Sequence, residues 1–405
     1  MRIYLVGGAV RDMVLKREPH DKDYVVFGAT VQEMLEAGFQ QVGKQFPVFL
    51  HPVTKNEYAL ARKEEKTGNK HTDFRFIFTP DVTPEEDVIR RDFTCNALLY
   101  DEEKQELTDL VGGVKDIENK ILRHVNSEHF IEDPLRVLRM CRFAAKLNFT
   151  IASETMDLAQ QMVKNGMLNH LTPERIWGEI SCALQQPDFA QFILIMKQCG
   201  ALNIIMPEVE KLWQMPERAD YHPEGNSGAH TILTLQHADN LSAKAKFAML
   251  LHDIGKTMTP PEILPHHRGH DKAAAPLIKA ICKRLKVPND YRDLALMAAE
   301  QHMQIRNVLD MKKGRLLTLL TDICELKYRQ NLVDYLKICR CDMLGRQREI
   351  PQFERSYFRR SAMRLIQNFR IQSKIKATDM PNFADMPKDA AFAEKFFNYR
   401  AERII

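Results

Sequence analysis

MRIYLVGGAVRDMVLKREPHDKDYVVFG, residues 1–28, reads as strand, glycine turn, helix, loop and strand. Arg2 to Val6 is a short apolar run of buried-strand type, Gly7 and Gly8 let the backbone turn tightly, and Ala9 to Lys16 has helical spacing. A phosphate fits against the amides at such a helix start. Pro19 and His20 mark a loop, and Asp21, Lys22 and Asp23 lead into a second apolar strand, Tyr24 to Phe27. Side chains two apart on a strand share a face, so Asp21 and Asp23 point together and Lys22 away. Paired carboxylates repel unless a proton or cation stands between them, and Mg²⁺, which favours carboxylate oxygens plus substrate phosphates, suits them. A plain polar loop is the alternative. The glycine turn a dozen residues earlier favours the metal, because it supplies a phosphate seat beside it.

GGAVRD (Gly7 to Asp12) followed by DKDYVVFG (Asp21 to Gly28) resembles the head domain of the bacterial class of tRNA nucleotidyltransferases, the CCA-adding enzymes of the polymerase β superfamily. The resemblance implies that Asp21 and Asp23 are catalytic and hold Mg²⁺, and that Gly8 and Arg11 lie at the nucleotide. Glu57, in EYALAR, is a candidate third carboxylate.

At 405 residues the chain exceeds what one core usually holds. A hydrophobic content of 44% and a charged content of 28% describe a globular protein, and a net charge of +4 permits an anionic partner without demanding one. The eight cysteines are scattered, without a CxxC pair, and read as reduced core residues of a cytoplasmic protein. No run of 18 apolar residues and no cleavable leader argue against membrane spanning and secretion.

Residues 1 to about 110 mix strands (Val48–His51, Glu57–Arg62, Phe74–Phe78, Ala97–Tyr100) with helices, and KEEKTGNKHTD, Lys63 to Asp73, reads as a loop. From Ile117 onward strand signals fade. Thr83-Pro84-Glu85-Glu86 is a capping box with proline at the first helical position, and Thr172-Pro173-Glu174 opens another helix. The Pro- and Gly-bearing segment Pro207 to Gly228 reads as a connection between domains. The expected fold is α+β: a nucleotidyltransferase head with a small mixed sheet (1–112), a helical neck (113–206), an all-α histidine-rich domain (207–345) and a basic helical tail (346–405).

RRDFTCNA, Arg90 to Ala97, continues the helix from Thr83 on this reading, so Asp92 and Asn96 share a face while Phe93 and Ala97 face the core. By the resemblance it is the family's second signature, in which Arg91 contacts the phosphates of the incoming nucleotide, a task suited to a bidentate guanidinium. Asp109 to Gly113 is a turn or a hinge. EDPLRVLRMCRF, from Glu132, opens a helix with Asp133 as N-cap, Pro134 first, and Arg136, Arg139 and Arg142 along it. A capped basic helix suffices to explain it. It also resembles the family's base-recognition motif, in which Asp133 and Arg136 read the Watson–Crick edge of C or A and Arg139 lies at the nucleotide, with no nucleic-acid template.

Histidines concentrate after residue 220: His230 in SGAHTILTLQH, His252-Asp253 after the apolar run Phe247–Leu251, His270 in HHRGHD and His302 in EQHMQI, with Asp342 in RCDMLGR. An adjacent His-Asp pair ending a buried helix, with further histidines on separate helices, is a metal-ligand pattern. It resembles the HD phosphohydrolase domain, a helical metal site that activates water against phosphate esters. His230, His252, Asp253 and Asp342 are the expected ligands, with His252 and Asp253 catalytic; the standing of His270 and His302 is open, and Lys256 faces phosphate. The metal is a divalent transition ion, Ni²⁺ among the candidates. From Arg346 to Lys376 basic and aromatic residues alternate with few acids, a candidate tRNA-docking surface or a solvated helix face.

The expected enzyme adds C, C and A to tRNA from CTP and ATP, and carries a second, phosphatase or 2′,3′-cyclic phosphodiesterase activity that repairs RNA 3′ ends. Its expected partners are tRNA, ATP and CTP, without a membrane, as monomer or homodimer. A bacterial poly(A) polymerase shares the head motifs, though an HD region is not expected there. A protein-uridylylating nitrogen sensor joins the same two domain types, but with further small-molecule-binding domains. A silent RNA-binding protein is disfavoured because both candidate metal sites keep their carboxylates.

Overall fold

A computed structural model of the chain describes residues 1–19, 21–42, 47–66, 74–381, 383 and 390–405. It forms two units, Met1–Leu171 with Gln198–Ala201, and Thr172–Lys197 with Leu202–Ile405.

The first unit is built on a mixed sheet. Its strands β1 (Arg2–Val6), β2 (Asp23–Phe27), β3 (Gln40–Val42), β4 (Val48–Leu50) and β5 (Glu57–Leu60) lie in the order β3-β4-β5-β2-β1. Leu99–Asp101 and Glu106–Thr108 extend it beyond β1. β2 pairs antiparallel with β1 and parallel with β5, setting Asp23 opposite Glu57. Only Asp23 of β2 is exposed, because both faces of the strand are covered. Val25 and Phe27 pack with Val6, Val88 and Ala97, while Val26 packs on the other face with Met34, Phe49 and Leu60. Gly7, at φ 69°, makes the turn between β1 and the helix Gly8–Val14, which stops short of Lys16.

The expected capping box forms at Thr83, whose hydroxyl accepts from Glu86 N–H at 3.3 Å while the Glu86 carboxylate accepts from Thr83 N–H at 2.9 Å. The helix it opens ends at Ile89, however, and RRDFTCNA does not continue it. Thr94 N–H donates to the Arg123 carbonyl at 3.0 Å and Val125 N–H to the Asp92 carbonyl at 3.2 Å. Pairing with residues 123–125 thus replaces the helical bonds, and only a 3₁₀ turn, Thr94–Asn96, follows. Phe93 and Ala97 are buried as expected. The segment read as a loop from Lys63 to Asp73 is strand at its start: Lys63–Lys66 pairs antiparallel with Phe74–Ile77, and 67–73 lie outside the described residues. His20 also lies outside them. Beyond Ile117 the chain is mainly helical, with one short parallel pair, Ile121–Leu122 on Thr150–Ile151.

The second unit is helical. Ala243–Leu251 lies at its centre, with Ala245 and every residue from Phe247 to Leu251 fully buried, as an all-round apolar helix must be. Asn289–Gln301 and Ser227–Gln236 pack against it. The helix Gln352–Gln372 sends Leu365 and Phe369 into a core shared with Leu316, Leu320 and Tyr335. Pro207 to Gly228 is no mere connection: it folds into this unit with short helices at Pro207–Glu210 and Lys211–Gln214. No helix among the described residues is long and apolar enough to cross a membrane. All eight cysteines are free and, Cys182 apart, buried.

Candidate functional site

Two polar centres stand out, one in each unit. In the second unit, His252 and Asp253 follow directly on the buried helix Ala243–Leu251. The Asp253 carboxylate lies 3.2 Å from His252 Nε2, 3.5 Å from His270 Nε2, 3.6 Å from His302 Nε2 and 4.0 Å from His230 Nε2. Asp342, on the helix Arg329–Leu344, lies 3.1 Å from the same nitrogen of His230. Four helices and a 3₁₀ segment therefore deliver six side chains to one point. Two groups, His230–His252–Asp253 and Asp253–His270–His302, are each compact enough to hold an ion, and they share Asp253.

The outer contacts aim these rings. His252 Nδ1 bonds to the Met249 carbonyl at 2.7 Å, His270 Nδ1 to the His267 carbonyl at 2.7 Å and His302 Nδ1 to the Ala298 carbonyl at 3.0 Å. A carbonyl only accepts, so each Nδ1 carries the proton and each Nε2 turns a lone pair toward Asp253. His230 Nδ1 is instead held by the Glu224 carboxylate at 2.8 Å, the usual support of a metal-bound imidazole. Gly255 lets the turn after Asp253 approach the start of the helix His270–Arg284 closely. A Cβ there would run into the His270 carbonyl oxygen.

Charge is unevenly spread in this centre. Burial drives the Asp253 carboxyl up, but the surrounding positive charge, that of the buried Lys256 included, more than offsets that and holds it well below the carboxylate range. Asp342 is held low in the same way, burial being outweighed by the bond to His230 and by Arg306. Burial, opposed by Asp253, pushes His302 down to about 4, leaving it neutral and able to ligate at neutral pH. Lys256, 2.8 Å from Asp253 and 2.6 Å from Glu217, is buried and kept charged by both. The Nε2 atoms of His252 and His270 are buried without a hydrogen-bond partner. Buried imidazole nitrogens without donors, facing a shared carboxylate, fit a divalent cation.

In the first unit the centre is open. Asp21 and Asp23 are exposed at the start of β2, and Glu57 faces Asp23 across the parallel register. Lys22 turns away to Glu102 at 2.9 Å, which also accepts from Tyr24 Oη at 2.9 Å. Partial burial, then Glu57 and Asp21, raise the Asp23 carboxyl against the pull of Arg91. Three like charges with so little compensation suit a cation, yet among the described residues only the second unit closes its ligands into a compact group. Arg91 is clamped by Asp87 through two bonds of 3.1 and 2.8 Å.

A chain of polar side chains runs from Arg139 to Asp12. Arg139 grips Asp92 at 2.6 Å, Asn96 donates to Asp92 at 3.4 Å, and Arg11, 2% exposed, donates to Asn96 at 2.7 Å and to Asp12 at 2.8 Å. Arg11 thus braces the glycine turn, beside Gly8, from within; its ring of partners is protein. Asp133 lies one position before the observed cap, Pro134, and accepts from Leu135 N–H at 3.0 Å. Arg136 donates to the carbonyls of His129 and Arg90 at 2.6 and 2.7 Å, which sets it beside the residue preceding Arg91.

Comparison with known proteins follows this division. Residues 3–123 match the poly A polymerase head domain, 148–212 the probable RNA- and SrmB-binding site of polymerase A, and 228–338 the HD domain. A multifunctional CCA protein of Vibrio vulnificus is 47% identical over 364 residues, covering 88% of this chain and 89% of that protein. One from Acinetobacter baumannii is 42% identical over 413 residues, covering 100% and 97%. The chain belongs to the multifunctional CCA protein family. A CCA-adding nucleotidyltransferase and an HD phosphohydrolase domain are thereby joined in one enzyme. Among solved structures, an apo CCA-adding enzyme aligns with a TM-score of 0.67 at 17% identity, covering 99% of this chain and 87% of that one, a likeness of fold. A CCA-adding enzyme in complex with ATP aligns with a TM-score of 0.65 at the same identity.

The sequence alone did not single out Glu224, Glu217, His222 and Arg306. His222 lies 2.9 Å from Glu224, and Arg306 3.5 Å from Asp342. The signal for Glu224 was an acid six residues before His230 in an otherwise unexplained Pro/Gly-bearing stretch; Arg306 carried none.

Proposed function

We propose that this chain adds C, C and A to the 3′ end of tRNA, using CTP twice and ATP once, and that its HD centre hydrolyses phosphate esters at RNA 3′ ends before nucleotides are added. The enzyme acts in the cytoplasm. Its domains divide as 1–112, 113–206, 207–345 and 346–405. The observation that carries the reading is the register that sets Glu57 opposite Asp23, with Asp21 two residues before it.

Asp21 and Asp23, with Glu57, hold Mg²⁺, since an all-oxygen set with open positions suits that ion. A metal held by these carboxylates would supply Lewis-acid activation of the RNA 3′ hydroxyl and charge neutralisation of the triphosphate, whose α-phosphate the hydroxyl attacks in line with loss of pyrophosphate. Arg91, aimed by Asp87, takes the phosphates, and the amides beside Gly8 lie at the same end of β1. Asp133 accepts from the exocyclic amine of C or A, while Arg136 exchanges its carbonyl partners for the base edge and Arg139 holds the motif to Asp92. In the HD centre His230, His252, Asp253 and Asp342 hold a divalent transition ion such as Ni²⁺, which the imidazole-rich set favours, with His270 and His302 on the other side of Asp253. A metal held by these residues would supply activation of water for attack on the ester. Lys256 fixes the Asp253 carboxylate.

Sequencing tRNA 3′ ends after incubation of end-trimmed tRNA with all four nucleoside triphosphates tests the first activity. CCA ends are expected. Oligo(A) without C overturns the reading in favour of a poly(A) polymerase.

A further inference from the structure

Beside the HD centre a cavity of about 310 Å³ opens, and Asp342 lines it. Two guanidiniums line it beside that carboxylate: Arg306, exposed, lies 3.5 Å and Arg346 3.7 Å from the same Asp342 oxygen. Arg346 is buried, and its Nε is a buried donor without a hydrogen-bond partner. The outer wall is aromatic. Phe353 is 71% and Tyr221 48% exposed, and Tyr357, one helical turn from Phe353 on the same face, is fixed by a 2.9 Å bond from its hydroxyl to Asp310.

We propose that this cavity is the substrate subsite of the HD centre and takes a terminal nucleotide, its phosphate against Arg306 and Arg346 and its base against the aromatic wall. The inference rests on the phosphohydrolase reading and adds a location and a recognition mechanism to it. Two guanidiniums beside a metal-ligating carboxylate select an anionic, multidentate group. Large aromatic faces left open to water serve a flat ring, since every nucleobase has a π-face and stacking tolerates sequence. A free phosphate or a small sugar phosphate would leave that wall unused. Phe353 and Tyr357 thereby acquire a task at the hydrolytic centre, distinct from the tRNA-docking surface expected of the basic tail.

The test compares a nucleoside 2′,3′-cyclic phosphate with glycerol 1,2-cyclic phosphate, which has the same strained ester and no base. In the full-length protein, Phe353→Ala should lower the ratio of the two kcat/KM values by roughly tenfold, through KM of the nucleoside ester. Arg306→Ala should raise KM for both esters alike. A ratio unchanged within twofold in Phe353→Ala and in a Tyr221→Ala, Phe353→Ala double variant overturns the subsite. Should the wild-type protein hydrolyse neither ester with any added divalent ion, the phosphohydrolase reading falls. The subsite is then decided by calorimetry with nucleoside 3′-monophosphate: binding weakened tenfold by Phe353→Ala upholds it, and binding indifferent to the substitution overturns it.

Discussion

The two polar centres of this chain are built on opposite plans. In the head, Asp21, Asp23 and Glu57 sit at the exposed ends of neighbouring strands, and partial burial, then repulsion from Glu57 and Asp21, raises the Asp23 carboxyl. In the HD unit the ligands are buried, aimed by backbone carbonyls and Glu224, and closed around Asp253. An open oxygen site must borrow ligands from its substrate, which ties metal occupancy to the nucleotide. A closed imidazole site holds its ion whether or not substrate is present. The difference suits a chain whose first reaction brings in a triphosphate at each turn and whose second needs only water.

The sharpest break would come from disabling one plan at a time. Asp21→Ala should abolish CCA addition, by a factor of at least about 10³, while ester hydrolysis stays at the wild-type rate; His252→Ala should do the reverse. Each is read by primer-extension and phosphate-release assays on the same preparation. Loss of both activities in a variant with wild-type circular dichroism would sink the separation of the two centres.

Metal removal should divide the units by stability as well as activity. An ion held at a hundred times its dissociation constant stabilises its unit by about 2.7 kcal/mol. Chelator treatment should therefore lower the melting transition of the HD unit by several degrees, restored by a transition ion, and leave the head transition in place. Equal shifts in both transitions would place a tightly held structural ion in the head and remove the contrast.

These centres were not equally legible in the sequence. The HD ligands announce themselves because His252 and Asp253 are adjacent and end an apolar run, so one motif fixes both chemistry and position. His270 and His302 were harder to place, since nothing in HHRGHD or EQHMQI tells a ligand from a surface histidine; the carbonyl bonds at their Nδ1 atoms settle how the rings are turned. Glu224 and Glu217 lie in a stretch whose prolines and glycines look like a connection and in fact bend the chain back onto the site. In the head, the start of the helix at Thr83 could be read from its capping box, but its end could not. That end depends on Asp92 and Thr94 pairing with residues 123–125, thirty positions away, and no local signal carries such a contact. Where that helix ends, Arg91 is held by Asp87.

That dependence gives the smallest and most specific effect. Asp87 is fully buried between Arg90 and Arg91. Burial alone would raise its carboxyl, yet Arg91 and Arg90 outweigh burial and hold it at about 2, below the ordinary 3.8. A carboxyl depressed in the folded state contributes stability that is fully present above pH 3.8 and is lost as pH falls through about 2; the difference is worth about 2 kcal/mol. Asp87→Asn should remove that contribution, so the variant's denaturant midpoint should fall below wild type at pH 7 and the two should converge by pH 2. Because Asp87 also aims Arg91, the variant should raise KM for CTP and ATP several-fold while leaving ester hydrolysis in the HD unit untouched. A variant that lost stability with unaltered nucleotide KM would show that Arg91 holds its place through the Asn96 carbonyl, 3.3 Å from its other nitrogen, and that the ion pair serves the fold alone.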